Sequence, residues 1–306
     1  MDTNNSTEDH MVTVHTSVLL HDVITTLALA SNDVVVDGTL GGGGHAKKIL
    51  EHLGDEGRYI GIDADNNAIE RVRKLLNEDG RMFYALGNFR DIDKHVQEAG
   101  LQKVDKILLD LGLSSDQLDQ KGGRGFSFQR DEPLGMTFAD DPAKGTLTAW
   151  HVVNEWGEET LADVIYGFGG EHRSRKIAHA IVSARDEKPI NTSIELAEIV
   201  KGVSSGRKGI HPATKTFQAI RMAVNDELGA LHEVLDKSKE LLNPGGRIAV
   251  ISFHSLEDRY VKRTFAEWEK EGLGKRITKK PIAPTREECK QNRRARSAKL
   301  RCFEMK

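Results

Sequence analysis

The chain of 306 residues contains only two cysteines, Cys289 and Cys302, and their wide spacing rules out a CxxC pair. This scarcity excludes a disulfide scaffold and a cysteine zinc site, so no metal is expected and a reducing compartment fits. Uncharged apolar runs of about 18 residues, the length of a membrane span, are also missing. The start of the chain is polar and acidic, unlike a secretory signal, which predicts a cytoplasmic protein without a membrane partner.

A large net charge is missing as well, since the chain carries −3 overall, but its charge is unevenly distributed. Residues 275–306 contain 12 Lys and Arg against 3 Asp and Glu, which leaves +9 there and −12 over the remainder. A basic stretch on an acidic body is typical of a surface that meets phosphate groups. A solvated C-terminal tail accounts for the same pattern, so charge alone leaves both interpretations open.

The most informative segment is Asp37-Gly-Thr-Leu-Gly-Gly-Gly-Gly-His45, which lies between an apolar run and a helix-like stretch. Glycines allow positive φ angles and let the backbone approach a ligand closely, because no Cβ stands in the way. A second apolar run ends at Asp63, 20 residues after Gly43. A βαβ unit presents an acid to a ribose hydroxyl at this spacing, so the two segments together predict a cofactor site.

Five short apolar runs alternate with helical patterns, which predicts a parallel α/β sheet covered by helices on both faces. Residues 119–225 show helical patterns and no convincing strand. We therefore expect an α/β domain over 1–118 and 226–306, interrupted by a mostly helical insertion over 119–225 and ending in a basic tail. The predicted strands are Val34–Asp37, Tyr59–Asp63, Met82–Leu86, Lys106–Leu111 and, after a turn at 242–246, Arg247–Phe253.

In open α/β sheets, ligands bind at the carboxyl ends of the strands, where four features of this sequence gather. They are Asp37 with its glycines, Asp63, the segment 87–89 and the segment 110–115. A dinucleotide would use the glycines and Asp63, but the carboxylate of Asp37 would repel its pyrophosphate. S-adenosylmethionine has no phosphate and carries a sulfonium and an ammonium group, so the residues favour it over a dinucleotide.

Longer motifs are spread over nearly the whole chain. They are His15-Thr-Ser-Val-Leu-Leu20, 37–45, 110–119, Arg124-Gly-Phe-Ser-Phe128, 211–221 with Val224-Asn225, 252–259 and 292–301. In order and composition these motifs make the chain resemble the RsmH (MraW) family, the cytosine-N4 methyltransferases of small-subunit 16S ribosomal RNA. The segment 133–138 departs from the resemblance, because Gly135 and Thr137 stand where the family typically has Asp and Arg.

The resemblance implies a Rossmann-like class I S-adenosylmethionine-dependent methyltransferase sheet, with a helical insertion that recognises RNA. It implies transfer of a methyl group to the exocyclic N4 of a cytosine in 16S rRNA of the small (30S) ribosomal subunit. A monomer and a homodimer are both compatible with it. The cofactor contacts that it implies are Gly43, Gly44, His45, Asp63, Phe89, Asp110 and Gln117.

The exocyclic amine of cytosine is a weak nucleophile, because its lone pair is delocalised into the ring. A hydrogen-bond acceptor would favour the reactive geometry and take up positive charge, and Asp110 and His254 are the catalytic candidates. Phe126, Phe128 and Trp156 are candidates for stacking on the target base. RNA-binding residues are expected among the cations of the insertion and the tail, chiefly Arg124, Arg173, Lys215, Arg221, Arg294 and Arg296.

Two other classes of protein stay open at this point. A ribosome-assembly factor would keep the fold and the pocket without transferring methyl, and only Gly135 and Thr137 support it. A nicotinamide-dependent dehydrogenase is disfavoured by Asp37 and by the lack of a domain suited to hydride transfer. Cofactor titration and a turnover assay separate these classes.

Overall fold

The computed structural model describes residues 17–113, 123–140, 142–204 and 211–306. Within these residues one seven-stranded sheet has the order β3-β2-β1-β4-β5-β7-β6. Strands β1 to β5 run parallel, and β7 runs antiparallel to β5 and β6, so the predicted parallel sheet is confirmed and extended. The strands are β1 (Val34–Asp37), β2 (Arg58–Asp63), β3 (Met82–Leu86), β4 (Val104–Asp110), β5 (Leu242–Ser252), β6 (Gly274–Arg276) and β7 (Lys299–Met305).

The helices fall into three groups along the chain. The first group is α1 (Leu20–Leu27), α2 (Gly44–Leu50), α3 (Asn66–Leu75) and α4 (Ile92–Glu98). The second is α5 (Ala149–Glu155), α6 (Glu158–Gly167), α7 (Ser174–Glu187), α8 (Ser193–Val203) and α9 (Thr214–Val224). The third is α10 (Glu227–Leu241), α11 (Ser255–Lys270) and α12 (Arg286–Gln291). None of the helices described is long and apolar enough to cross a membrane.

Helices cover both faces of the sheet, because successive side chains of a strand point to opposite faces. Val36 and Ile60 belong to the layer that also contains residues of α4, α10 and α11. Val35 and Tyr59 belong to the opposite layer, with residues of α1, α2 and α3. All four side chains are buried. The two layers hold the parallel strands in register, so their carboxyl ends open on the same edge of the sheet.

A third cluster of buried apolar residues extends from Phe126 to Ile220 and draws on α5 to α9. Hydrogen bonds reinforce it: the Asn154 side chain donates to the carbonyl of Ile190 and accepts from its N–H, both at 2.9 Å. We propose that this cluster is the core of the helical insertion predicted over 119–225, whose boundaries stay predictions.

The end of the chain differs from the predicted basic tail, because Lys299–Met305 forms β7 inside the sheet. Arg301 donates from Nε to Oδ1 of Asp258 at 2.7 Å, and the Lys299 ammonium lies 3.0 Å from the other oxygen. Burial raises the pKa of the Asp258 carboxyl, but these cations outweigh burial and lower it. The basic residues of β7 therefore stabilise the fold. The net charge of residues 275–306 does not reveal the apolar residues that alternate with them in this strand.

A core substitution in β7 tests this assignment. Phe303 is fully buried and packs against the rings of Phe265 and Trp268, with centroids 5.5 Å and 5.3 Å away. We expect Phe303→Ala to lower the free energy of unfolding by about 3–5 kcal/mol. The exposed Lys290→Ala should change it by less than about 0.5 kcal/mol in the same urea titration. Equal, small effects of both would contradict a buried C-terminal strand.

Candidate active site

A cleft of about 1090 Å³, partly open to solvent, lies at the carboxyl edge of the parallel strands. Six of the seven predicted cofactor residues line it, namely Gly43, Gly44, His45, Asp63, Phe89 and Asp110. The seventh, Gln117, lies outside the described residues. Because the strand order is β3-β2-β1-β4-β5, the lining groups also have a lateral order across the sheet. They run from Phe89 after β3, through Asp63, the glycine loop and Asp110, to Phe253 after β5.

The glycine loop makes a tight passage between β1 and α2. Gly41 and Gly43 have φ angles of 51° and 76°, in the left-handed region that favours glycine. A Cβ on Gly43 would also lie 2.9 Å from both methyl carbons of Val72 on α3. The loop therefore needs glycine at position 43 for its backbone angle and for its packing against α3.

Asp37, at the end of β1, is buried below the loop and is not among the residues that line the cleft. Its carboxylate accepts hydrogen bonds from the Tyr59 hydroxyl at 2.6 Å and from the Thr39 amide at 3.0 Å. Burial raises the pKa of this carboxyl against those hydrogen bonds. Asp37 therefore shapes the loop from below and acts on the cleft only as a nearby carboxyl group.

Asp63 ties the end of β2 to the loop. Its two oxygens accept from the amides of Gly41 at 2.8 Å and Asp65 at 2.9 Å. Burial raises the pKa of the Asp63 carboxyl to about 6, although the hydrogen bonds from these two amides lower it. A carboxylate accepts more than one hydrogen bond at each oxygen, so Asp63 keeps acceptor capacity toward the cleft.

His45 and Asp110 bring unsatisfied polar atoms into the cleft. His45 Nε2 lies 3.6 Å from Oδ2 of Asp110, too far for a hydrogen bond. Both ring nitrogens of His45 and Oδ1 of Asp110 are buried without a hydrogen-bond partner. Buried polar atoms are rarely left unpaired, so this pair indicates a polar or cationic ligand group.

A second polar cluster lies on the β5 side of the cleft, where Glu227 and Glu257 are lining residues. Arg221 grips Glu227 with two hydrogen bonds, from Nε at 2.7 Å and from Nη2 at 2.8 Å. Glu257 accepts from the amides of Phe253 at 3.0 Å and His254 at 3.3 Å, at the start of α11. Glu257 thus caps the first turn of α11, and the same residue also lines the cleft.

This β5 cluster contains the arrangement nearest to a metal site in the described part of the chain. Ligand atoms of Glu227, His254 and Glu257 lie within 4.8 Å of one another. The Arg221 guanidinium already balances one of the two carboxylates, which weakens the case for a further cation.

The predicted RNA-binding residues have different settings. Arg221 is mostly buried and pairs with Glu227 in the β5 cluster, so it is directed away from the molecular surface. Arg124 is also mostly buried, and pairs with Asp65 at 3.0 Å and with the carbonyl of Phe138 at 2.7 Å.

The remaining predicted RNA-binding residues lie nearer the surface. Arg173 on the insertion and Arg296 near the end of the chain are exposed. Lys215 is partly exposed and donates to the carbonyl of Gly170 at 2.7 Å, while Arg294 lines the cleft.

The unusual segment 133–138 borders the cleft through Phe138. A Cβ on Gly135 would lie 3.1 Å from the backbone oxygen of Arg124, so the turn favours glycine there. Thr137 is buried and donates to the carbonyl of Ala139 at 3.0 Å. Both residues are accommodated in the fold without an ion pair.

Several cleft residues are missed by sequence reasoning, above all Glu227, Phe138 and Ala230. Asn225 belongs to a family motif, and its side chain donates to the carbonyl of Met136 at 2.7 Å. This motif ends two residues before Glu227 and is the one sequence signal near it. No spacing in the sequence shows that the end of α9 lies close to the end of β5.

The strand order, the glycine loop and the acid at the end of β2 define a class I S-adenosylmethionine-dependent methyltransferase. The chain belongs to the MraW methylase family, whose model matches residues 12–306. This confirms the predicted resemblance and the predicted cofactor, S-adenosylmethionine, and it removes the support for a dehydrogenase.

The chain is similar to named methyltransferases in sequence and to solved structures in fold. It is 45% identical over 305 residues to ribosomal RNA small subunit methyltransferase H of Clostridium botulinum, covering 94% of this chain and 97% of that protein. It is 47% identical over 293 residues to the enzyme of the same name from Deinococcus deserti, covering 95% and 93%. An rRNA methylase structure from Streptococcus thermophilus is 12% identical, with a TM-score of 0.43 and 93% of each chain covered.

The pKa of Asp63 generates a prediction about cofactor affinity. A ribose hydroxyl donates to the ionised carboxylate, so affinity should fall as pH drops through about 6 and Asp63 takes up a proton. We expect the Kd for S-adenosylmethionine to be constant above about pH 7 and about tenfold weaker at pH 5. Isothermal titration calorimetry on the folded chain, checked by circular dichroism, gives this profile.

The matched control is Asp63→Asn, which cannot titrate. It should bind more weakly at pH 7.5 and show little change in Kd between pH 7.5 and 5. A wild-type Kd that is unchanged down to pH 5 would show that Asp63 does not hold the cofactor in its ionised form.

Proposed function

We propose that this methyltransferase transfers the methyl group of S-adenosylmethionine to N4 of a cytosine in the 16S rRNA of the small ribosomal subunit. The observation that carries the proposal is the cleft itself, in which unpartnered His45 and Asp110 face a hydrogen-bonding carboxylate cluster around Glu227. The family and the small-subunit rRNA methyltransferases of Clostridium botulinum and Deinococcus deserti support the choice of RNA as substrate.

The lateral order of the lining residues suits one orientation of the cofactor. Phe89 offers an aromatic ring for the adenine base, and Asp63 offers its carboxylate to the ribose hydroxyls. Gly43 and Gly44 let the amino-acid end approach the loop closely, and the amide of Gly44 at the start of α2 suits its carboxylate. Asp110, beside His45, would hold the cationic ammonium group. When bound, S-adenosylmethionine supplies an electrophilic methyl group on its sulfonium.

The target amine then lies on the far side of Asp110, toward β5. Holding a nucleophile in line with its electrophile accounts for much of the rate that an enzyme gains in a displacement. Asp110 and His254, the catalytic candidates from the sequence, lie at the ends of β4 and β5, which are adjacent in the sheet. Asp110 lines the cleft and can accept a hydrogen bond from the exocyclic amine, which favours its reactive geometry. The Nδ1 atom of His254 already accepts from the Glu257 amide, which leaves His254 the weaker of the two candidates.

The structure changes the candidates for stacking on the target base. Phe126 is buried in the core of the insertion, while Phe128 and Trp156 pack against that core. Phe138 and Phe253 are the aromatic residues that line the cleft on the β5 side, so we assign the stacking role to this pair. A base paired in a duplex cannot reach them, so the cytosine must be single-stranded or flipped out.

We propose that RNA is held by the exposed cations near the cleft and on the insertion. Arg294 lines the cleft and Arg296 lies two residues further along the chain. Arg173 on α7 and Lys215 on α9 would extend the contact to the insertion. Arginine suits this role because its planar guanidinium donates two hydrogen bonds to one phosphate.

The direct test is methyl transfer from labelled S-adenosylmethionine to small subunits from a strain that lacks this enzyme. We expect the label in N4-methylcytidine, identified by mass after digestion of the rRNA. Asp110→Ala should lower transfer by about 100-fold, because it removes an acceptor next to the reacting groups.

The matched control is Asp79→Asn, which alters an ion pair with Arg81 outside the cleft and should leave transfer unchanged. Tight cofactor binding without any transfer would favour the assembly-factor alternative. Label in another nucleoside would contradict the assignment of N4.

A further inference from the structure

The β5 cluster contains four titratable or charged side chains that cofactor binding leaves without a role. They are Arg221, Glu227, His254 and Glu257, and each has most of its side chain buried. Burying charge is expensive unless the groups pair with one another, and a functional reason is common where a protein accepts that cost. Glu227 and Glu257 line the cleft directly.

The carboxyl groups of the cluster outnumber its guanidinium, because Glu227 and Glu257 share the single Arg221. His254 Nδ1 accepts a hydrogen bond from the Glu257 amide at 3.4 Å. His254 Nε2 lies 2.9 Å from Oε1 of Glu257, without a properly aligned hydrogen bond.

We propose that Glu227 is a catalytic residue that accepts a hydrogen bond from the exocyclic amine of the target cytosine and takes up its proton after methylation. This inference rests on the proposed function and names the group that acts on the substrate. Glu257 places a second carboxylate in the cleft lining, and Arg221 is a positioning residue that fixes Glu227.

The position of Glu227 favours it over Asp110 for this task. Asp110 lies beside His45 on the loop side of the cleft, where the cationic end of the cofactor is expected. Glu227 begins α10, and its carboxylate lies within 4.8 Å of ligand atoms of His254 and Glu257, which follow β5. It lines the same cleft as Phe138 and Phe253, the aromatic pair assigned to the base. Arg221 occupies one hydrogen-bonding position on each oxygen of Glu227, which leaves further lone pairs for an amine.

The charge balance of the reaction matches this location. The bond from the methyl carbon to sulfur breaks as the bond to N4 forms, so positive charge moves from the sulfonium to the amine nitrogen. A negative cluster at the amine stabilises the transition state more than the ground state. The amine then passes one proton to the Glu227 carboxylate, which releases it to solvent. Burial raises the pKa of Glu227 although Arg221 lowers it, which makes the carboxylate a better base.

The test is the single-turnover rate of Glu227→Gln on small subunits, measured with labelled S-adenosylmethionine. We expect a rate about 100-fold lower, because a neutral amide cannot take the charge or the proton. The Kd for S-adenosylmethionine should stay within twofold, since the cofactor lies on the other side of Asp110. Glu227→Asp, which keeps a carboxylate, should recover part of the rate.

Glu269→Gln is the matched control, because Glu269 also grips an arginine, Arg276, but lies outside the cleft. It should leave the rate unchanged. If Glu227→Gln fails to fold with Arg221 unpaired, the double variant Arg221→Gln/Glu227→Gln removes the buried pair together, and it should fold and be equally slow.

Three results would overturn the inference. One is a folded Glu227→Gln variant with a rate within threefold of the wild type. Another is a recovery of that rate on adding magnesium or manganese, with loss of the wild-type rate in EDTA, because the cluster would then be a metal site. The third is a wild-type chain that binds the cofactor and transfers no methyl, which would overturn the proposed function and the inference with it.

Discussion

The hydrogen bond from the Gly41 amide to the Asp63 carboxylate is the contact on which the cleft depends. It joins the glycine loop after β1 to the end of β2. The other oxygen of Asp63 accepts from the Asp65 amide, and the Asp65 carboxylate pairs with Arg124 of the neighbouring segment. Arg124 in turn donates to the carbonyl of Phe138, which lines the cleft. One chain of contacts thus connects the cofactor loop with the wall that faces the substrate.

The strand order also fixes the order in which chemically different groups line the cleft. Groups suited to a base, a ribose and a cationic chain follow one another from β3 to β4, and a negative cluster follows at β5. Parallel strands are spaced about 4.8 Å apart, so neighbouring strand ends bring their side chains within reach of one small ligand. The proposed reaction would move positive charge in the same direction, from the loop side toward Glu227.

Much of the sheet is predictable from sequence, because the pattern behind it is local. The predicted bounds of β1 and β3, Val34–Asp37 and Met82–Leu86, are those of the structure. No strand is predicted at β7, because the charges of Lys299 and Arg301 give this stretch the pattern of a basic tail. Their partner Asp258 lies on α11, 41 positions before Lys299 and 43 before Arg301. No local pattern reveals a pairing over this separation.

The same distinction holds for the cleft: some of its lining residues are predictable from local sequence spacing, and others depend on tertiary packing. The glycine loop and Asp63 are visible as spacings in the sequence, and their role as lining residues follows from the parallel sheet. The burial of Asp37 involves Tyr59, one strand away, so no local pattern reveals it. Glu227 reaches the β5 side only because α10, which it begins, packs against the sheet, so its place is a property of the folded chain.

Binding of a cofactor fragment tests whether Asp63 and Asp110 contact different parts of the cofactor, in the order that the strands impose. S-adenosylmethionine and 5′-methylthioadenosine, which lacks the amino-acid end, would be titrated into the wild type, Asp63→Asn and Asp110→Asn. Asp63→Asn should weaken both ligands, whereas Asp110→Asn should weaken S-adenosylmethionine by about tenfold and leave methylthioadenosine unchanged. Equal weakening of both ligands by Asp110→Asn would contradict the proposed order of contacts from β3 to β4.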